Sequence, residues 1–142
     1  MGTKQFTSLE DFPEDSFGFI YKITNIVTGK FYIGKKSLYH NVKKKLTKKE
    51  LAEQSGPGRK ATTKKVQKES DWATYWGSNK EILEEIKSKG NLAFTREILK
   101  LVNTKKELTY WEVAFQCQYD VLLIDSYNDN ILGKFFKKDF IS

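Results

Sequence analysis

Two short stretches constrain this chain more than anything else in it. Phe17-Gly18-Phe19-Ile20-Tyr21-Lys22-Ile23-Thr24-Asn25 and Lys30-Phe31-Tyr32-Ile33-Gly34-Lys35 are rich in aromatic and β-branched residues, with the turn signal Thr28-Gly29 between them. Such side chains pack well on a pleated surface, and a short break between two such runs makes a β-hairpin. Tyr21 and Tyr32 lie eleven positions apart across the turn. A four-residue loop sets Tyr32 opposite Ile23 and Tyr21 opposite Gly34, with both phenols on one face of the sheet; a three-residue loop separates them. Strand tyrosines are ordinarily packing residues, so the pair alone is weak ground for catalysis. Gly34 adds to it, because glycine inside a strand marks a bulge or a close approach.

Further along, Ser78 precedes Asn79-Lys80-Glu81, with Ile82, Leu83 and Ile86 at helical spacing and Gly90 just past the end. Ser78 is therefore expected to cap a helix of about three turns. Phe94 to Val102 alternates as a third strand. Thr104 with Glu107 three residues later opens a helix expected to run to about Asp120. Leu108, Trp111, Phe115, Tyr119 and Leu122 form its apolar face. The expected architecture is α+β, a three-stranded antiparallel sheet flanked by helices, in a length of 142 residues that suits one domain.

Charge is unevenly spread. The net charge is +7, yet between Asn41 and Lys68 nine lysines and Arg59 meet only Glu50 and Glu53, leaving the rest close to neutral. This basic stretch reads as an inserted arm made of a helix, a loop at Gln54-Ser55-Gly56-Pro57-Gly58 and a second basic element. Its partner is a polyanion, either nucleic acid or an acidic membrane surface; composition alone does not separate them. An adaptor for membranes is disfavoured, since the arm offers only Val42, Leu46, Leu51 and Val66 as apolar residues and is broken by Gly56-Pro57-Gly58. The chain has no apolar run long enough to span a membrane, and Met1 to Phe12 lack the order of a secretory signal, so a cytoplasmic location is expected. With Cys117 and His40 each the only one of its kind, a metal would need oxygen ligands.

Glu112 falls at the margin of the last helix's apolar face, where a carboxylate is costly unless balanced. It either reaches water or a lysine at the rim, or it holds a divalent cation.

Phe19-Ile20-Tyr21, ten intervening residues and Tyr32-Ile33-Gly34 together resemble the paired motif of the GIY-YIG nuclease family, with Phe19 where the family usually has its first glycine. The likeness continues through Tyr75-Trp76-Gly77-Ser78, Phe94-Thr95-Arg96-Glu97-Ile98-Leu99 and Tyr110-Trp111-Glu112 to Asn128, covering roughly residues 17–128. It implies an α+β domain over 17–133 with the arm, 41–68, inserted, an N-terminal extension over 1–16 and a basic tail over 134–142. It also implies a DNA endonuclease that uses Tyr21, Tyr32, a metal ligand at Glu112, and Asn128 to shape the site. In the family a basic residue lies on the first helix. No arginine stands there; Lys43 is near the expected position, and Arg59 with Lys36 as helper is favoured for the role. His40 is expected to be an exposed loop residue.

The mechanism implied is a one-metal scheme with Mg²⁺ or Mn²⁺ on Glu112 and Tyr21, or a water it orients, taking the proton. A tyrosine of ordinary pKa near 10 needs nearby positive charge for that, and Lys35, Lys36 and the arm are the expected source. Duplex DNA is bound mainly through phosphates by Lys43, Lys44, Lys45, Lys48, Lys49, Arg59, Lys60, Lys64 and Lys65. Trp72, Tyr75 and Trp76 are either core or base-stacking residues. A separate recognition module has no room beyond the arm and a tail containing Lys134, Lys137 and Lys138. The resemblance further implies a short bacteriophage-type enzyme, acting as a monomer or as a dimer formed on DNA. Its rival is a module that keeps the fold and binds without cutting.

Overall fold

The computed structural model describes residues 8–141, so the first seven positions of the expected N-terminal extension, and Ser142 of the tail, lie outside the described residues. The chain forms two compact units, one of residues 39–70 and the other of the remaining described residues.

The larger unit is built on β1 (Gly18–Asn25), β2 (Phe31–Ser37) and, later in the chain, a strand at Phe94–Val102. The sheet is antiparallel, with β1 in the middle. The hairpin loop has four residues: the Asn25 N–H donates to the Lys30 carbonyl at 2.8 Å, and the Gly29 N–H returns to the Asn25 carbonyl at 2.7 Å. Asn25 also shapes the loop through its side chain, whose Oδ1 accepts from the Val27 N–H at 3.0 Å. Gly29 holds the positive φ of +78° that a Cβ would resist. The register therefore pairs Tyr21 with Gly34 and Ile23 with Tyr32, as the four-residue alternative requires.

This register sorts the sheet into two faces. Ile20 and Ile33 point to one, and pack with Val102, Leu108, Val121, Leu122 and Ile131; Trp111 and Phe115 pack against that cluster. Phe19, Tyr21 and Ile23 point to the other, where Phe12 meets Trp72 edge-on at 4.9 Å and Phe19 edge-on at 6.5 Å from Trp72 completes an aromatic core. Phe19 is thus a core residue at the position of the missing glycine, and Trp72 is core rather than a base-stacking side chain.

The smaller unit corrects an expectation. Its first half is a strand, β3 (Tyr39–Lys45), followed by a short helix α1 (Lys48–Glu53) and then β4 (Thr63–Glu69). The strands pair antiparallel, with Val42 opposite Val66, so Lys43, expected near a helical position, lies in a β-ribbon. The reason is non-local: a single apolar pair, half-buried on each strand, sets the ribbon, and no helical stripe exists in Tyr39 to Lys45 to compete. His40 is exposed, but on β3 rather than in a loop. Thr47 and Glu50 form a reciprocal cap on α1 at 3.2 and 3.1 Å. Lys64 pairs with Glu50 at 2.5 Å and holds its carboxyl down at about 2. Gln54 closes the loop by pairing both its amide atoms with the Ala61 backbone at 2.7 and 2.8 Å.

In the larger unit α2 spans Lys80–Lys89, β5 is the strand at Phe94–Val102, and α3 spans Lys105–Gln118. The cap of α2 is Asn79, whose Oδ1 accepts from the Ile82 N–H at 3.0 Å, and not Ser78. Gly90 ends the helix at φ +81°, and Thr104 caps α3 through the Glu107 N–H at 3.1 Å. A small ribbon of β6 (Asn130–Ile131) and β7 (Phe135–Phe136) follows.

Candidate active site

Strand β2 is an edge strand, and its outward backbone groups need partners. The Tyr127 N–H donates to the Phe31 carbonyl at 2.8 Å. At Ile33 the Asn128 amide serves both groups, Oδ1 accepting from the N–H and Nδ2 donating to the carbonyl, each at 2.9 Å. Gln116 Nε2 donates to the same carbonyl at 3.1 Å. The Lys35 N–H, next in the outward series, faces the carboxylate of Glu112 and lowers its pKa. Glu112 and Gln116 are one turn apart on α3, so a single helix face follows the strand edge.

That placement answers how a residue on α3 reaches the tyrosines. The helix packs on the Ile20 and Ile33 face, opposite the phenols, but Glu112 ends at the β2 edge, and its charge raises the pKa of both Tyr21 and Tyr32. The rings of Tyr21 and Tyr32 lie 6.2 Å apart. Gly34 makes this packing possible: a Cβ there would overlap the Tyr21 hydroxyl and ring, and one at Gly77 would come within 3.3 Å of the same hydroxyl. Tyr32 hydrogen-bonds Ser78 at 3.3 Å, which is where the residue expected as a cap is used.

Electrostatics correct the expected depression of the Tyr21 pKa. It is pushed well up, first by burial, then by the neighbouring Tyr32 and Tyr75, with Glu112 adding to the rise. The expected cations are engaged elsewhere. Lys36 pairs with Asp71 at 2.6 Å and lies 3.9 Å over the Tyr75 ring, while Lys35 Nζ donates to Thr109 at 3.1 Å. Tyr32 is half-buried; its pKa is also raised by desolvation, with the Ser78 hydrogen bond opposing and Glu112 reinforcing. Glu112 itself is raised by desolvation, against the charge and N–H of Lys35.

A half-buried carboxylate so placed has the chemistry of a cation ligand. Among the described residues no group of three or more His, Cys, Asp or Glu side chains gathers, and Glu112 is the carboxylate placed beside the β2 backbone. Such a ligand fits Mg²⁺, which commonly keeps several waters and takes substrate phosphate oxygens.

The structure therefore brings together Tyr21, Tyr32, Glu112 and Asn128, with Lys36 at their margin beside Tyr75. Arg59 belongs to the smaller unit, exposed in the loop between α1 and β4, as are Lys43, Lys44, Lys45, Lys48, Lys49, Lys60, Lys64 and Lys65 exposed on that unit. Lys137, in the expected basic tail, donates to the Ser126 carbonyl and fixes the loop that carries Asn128.

Several residues carry the site without having been singled out. Gln116 was hidden because an amide on a helix reads as surface, although its position one turn from Glu112 was visible. Arg96 on β5 clamps the segment before Gly77, donating to the carbonyls of Trp72 at 3.0 Å and Ala73 at 3.1 Å, and also to that of Tyr75. An arginine at an inward position of a strand is the signal for such a clamp.

A hairpin that packs two phenols over a glycine, with one carboxylate brought to the strand edge from the opposite face, defines an α+β nuclease domain of the paired-tyrosine, single-carboxylate class. Residues 2–138 match the family model described as "Putative endonuclease segE, GIY-YIG domain", and the chain belongs to that Seg-like GIY-YIG endonuclease family. No curated protein and no solved structure matches it.

Proposed function

We propose that this chain is a divalent-metal-dependent endonuclease that hydrolyses phosphodiester bonds of duplex DNA. The observation that carries the reading is the packing of the Tyr21 and Tyr32 rings 6.2 Å apart over Gly34, with Glu112 beside the Lys35 backbone of the same hairpin. Glu112 would hold Mg²⁺ or Mn²⁺, which when bound supplies charge stabilisation at the phosphate and its leaving 3′-oxygen. Tyr21 keeps its proton at neutral pH and, packed edge-on against Tyr75, offers its hydroxyl as a hydrogen-bond donor. Tyr32, half-buried and held by Ser78, orients the attacking water or the phosphate. Asn128 and Gln116 set the height of the strand that bears Tyr32 and Gly34. Lys36, carried beside Tyr75, contributes positive charge next to the tyrosines, and Arg59, the arm's only guanidinium, is the candidate for the family's basic role.

The exposed lysines of the smaller unit bind the DNA, Lys44, Lys48, Lys49 and Lys60 among them through its backbone. No helix among the described residues is long and apolar enough to cross a membrane. One set of catalytic groups cuts one strand per visit, so a double-strand break takes two visits or a second copy assembled on DNA. The proposed setting is the cytoplasm of a host cell, for a phage-encoded enzyme.

Nicking of supercoiled plasmid with Mg²⁺ tests the reading. The Glu112→Ala chain should lose at least about a hundredfold in rate, since Lewis-acid stabilisation is worth several kcal/mol. Equal nicking by both proteins removes Glu112 from the chemistry, and no nicking by the unmodified chain with either metal leaves only the DNA-binding alternative.

A further inference from the structure

The β3–β4 ribbon has two unlike faces. Side chains alternate along a strand and cross-strand partners share a face, so Asn41 with Gln67, Lys43 with Lys65, and Lys45 with Thr63 all lie on one side. All six are exposed. The other side carries the half-buried pair Val42 and Val66, and Lys64, which is tied to Glu50 of α1. The ribbon thus has one wholly polar face, while its other face mixes the half-buried valine pair with the exposed His40, Lys44 and Lys68.

We propose that this polar face reads base edges in the major groove of duplex DNA, with Asn41 and Gln67 as specificity-determining residues and Lys43 and Lys65 beside them. The inference rests on the proposal that the chain acts on DNA, and goes beyond it, since lysines on phosphates carry no sequence information.

Three observations converge on this partner. A pair of strands about 4.8 Å apart makes a ribbon that the roughly 12 Å wide major groove of B-form DNA admits. Lys43 stands directly opposite Lys65, a like-charge pairing that disfavours the ribbon by itself and is relieved against a polyanion. Between these lysines and the ribbon's root sit two amides facing one another, the side chains that pair bidentately with N6 and N7 of adenine, as lysine does with O6 and N7 of guanine. A membrane-binding face would instead place bulky apolar residues among its lysines. Duplex RNA hides its bases in a deep, narrow major groove that side chains do not read.

The test uses the full chain carrying Glu112→Ala, so that reading is measured apart from cutting. Selection from a random-sequence DNA duplex pool should recover a preferred sequence, and methylation of guanine N7 within it should block binding. Asn41→Ala with Gln67→Ala should lower the preference by at least about tenfold while binding to arbitrary DNA stays within about twofold. Lys43→Gln with Lys65→Gln, also surface changes, should remove preference at guanine positions. The proposal is overturned by an absence of any enriched sequence, by enrichment that survives both paired variants, or by insensitivity to N7 methylation. Tighter binding to duplex RNA or to anionic phosphatidylserine vesicles than to DNA at matched salt also overturns it. Sequence-selective binding by a chain whose unmodified form never nicks plasmid would retain the groove reading and remove the nuclease one.

Discussion

Gly34 and Tyr21 are two halves of one device. The glycine leaves the space that the phenol fills, and the phenol is the reason the glycine must stay small, since any Cβ there overlaps a buried, rigid ring. Gly34→Ala is therefore expected to displace Tyr21, cost about 1–3 kcal/mol of stability as other overpacked sites do, and reduce plasmid nicking more than Gly29→Ala at the hairpin tip. Thermal melting and nicking rates on the two variants check this; a Gly34→Ala chain that melts and cuts like the parent would mean the tyrosine has another place to go. The raised Tyr21 pKa has its own consequence. The unfolded phenol ionises near 10, before the folded one, so the stability that Tyr21 contributes is complete below about pH 10 and is lost as pH rises through its higher folded value. Melting temperature should thus fall more shallowly in Tyr21→Phe than in the parent between about pH 9.5 and 11. Parallel slopes would show that the ring is not the group being titrated.

The elements differ in how much of them could be read from the sequence. The hairpin, α2, β5 and α3 were legible because their signals are local: alternation, a cap, a glycine stop. The catalytic candidates were singled out by the resemblance: the loop length put Tyr21 and Tyr32 on one face and Glu112 stood at an apolar margin, but neither feature by itself marked a site. The ribbon was not legible, because its pairing joins strands from opposite ends of the arm through one valine pair, and lysine, a good helix former depleted in strands, points the reading toward a helix. The support of the β2 edge was legible only in part. Asn128 stood out by resemblance, but its double hydrogen bond to Ile33, shared with Gln116 on α3, is a tertiary contact. That shared carbonyl makes the two side chains interdependent. Asn128→Ala also strands the Ile33 N–H and should cost about 1–3 kcal/mol, and Gln116→Ala less, because Asn128 still serves the carbonyl. The double variant leaves the carbonyl with neither donor, so its cost should exceed the sum of the single costs. Denaturant melts of the four proteins give the coupling directly, and strict additivity would mean that one of the two bonds contributes nothing.

At the scale of the whole molecule, the division into two units is also a division of charge. The stretch from Asn41 to Lys68 holds the excess of cations, while the unit bearing Tyr21, Tyr32 and Glu112 is nearly neutral, so the proposed chemistry and the proposed electrostatic binding sit on different parts of the chain. The phosphate-contact part of that binding carries no sequence information and weakens with salt. If about six lysines contact phosphates, counterion release predicts a loss of about 10³-fold in affinity between 50 and 200 mM salt. Replacing Lys44, Lys48, Lys49 and Lys60 by glutamine, which spares the polar ribbon face, should then make the slope of log affinity against log salt shallower by up to about 4, whatever DNA is offered. The same four-charge change on the other unit, at the exposed Lys87, Lys89, Lys105 and Lys106, should leave the slope nearly unchanged. Fluorescence anisotropy of a labelled duplex across a salt series measures both variants, and equal slopes in the two would show that binding follows total charge and that the arm has no privileged part in it.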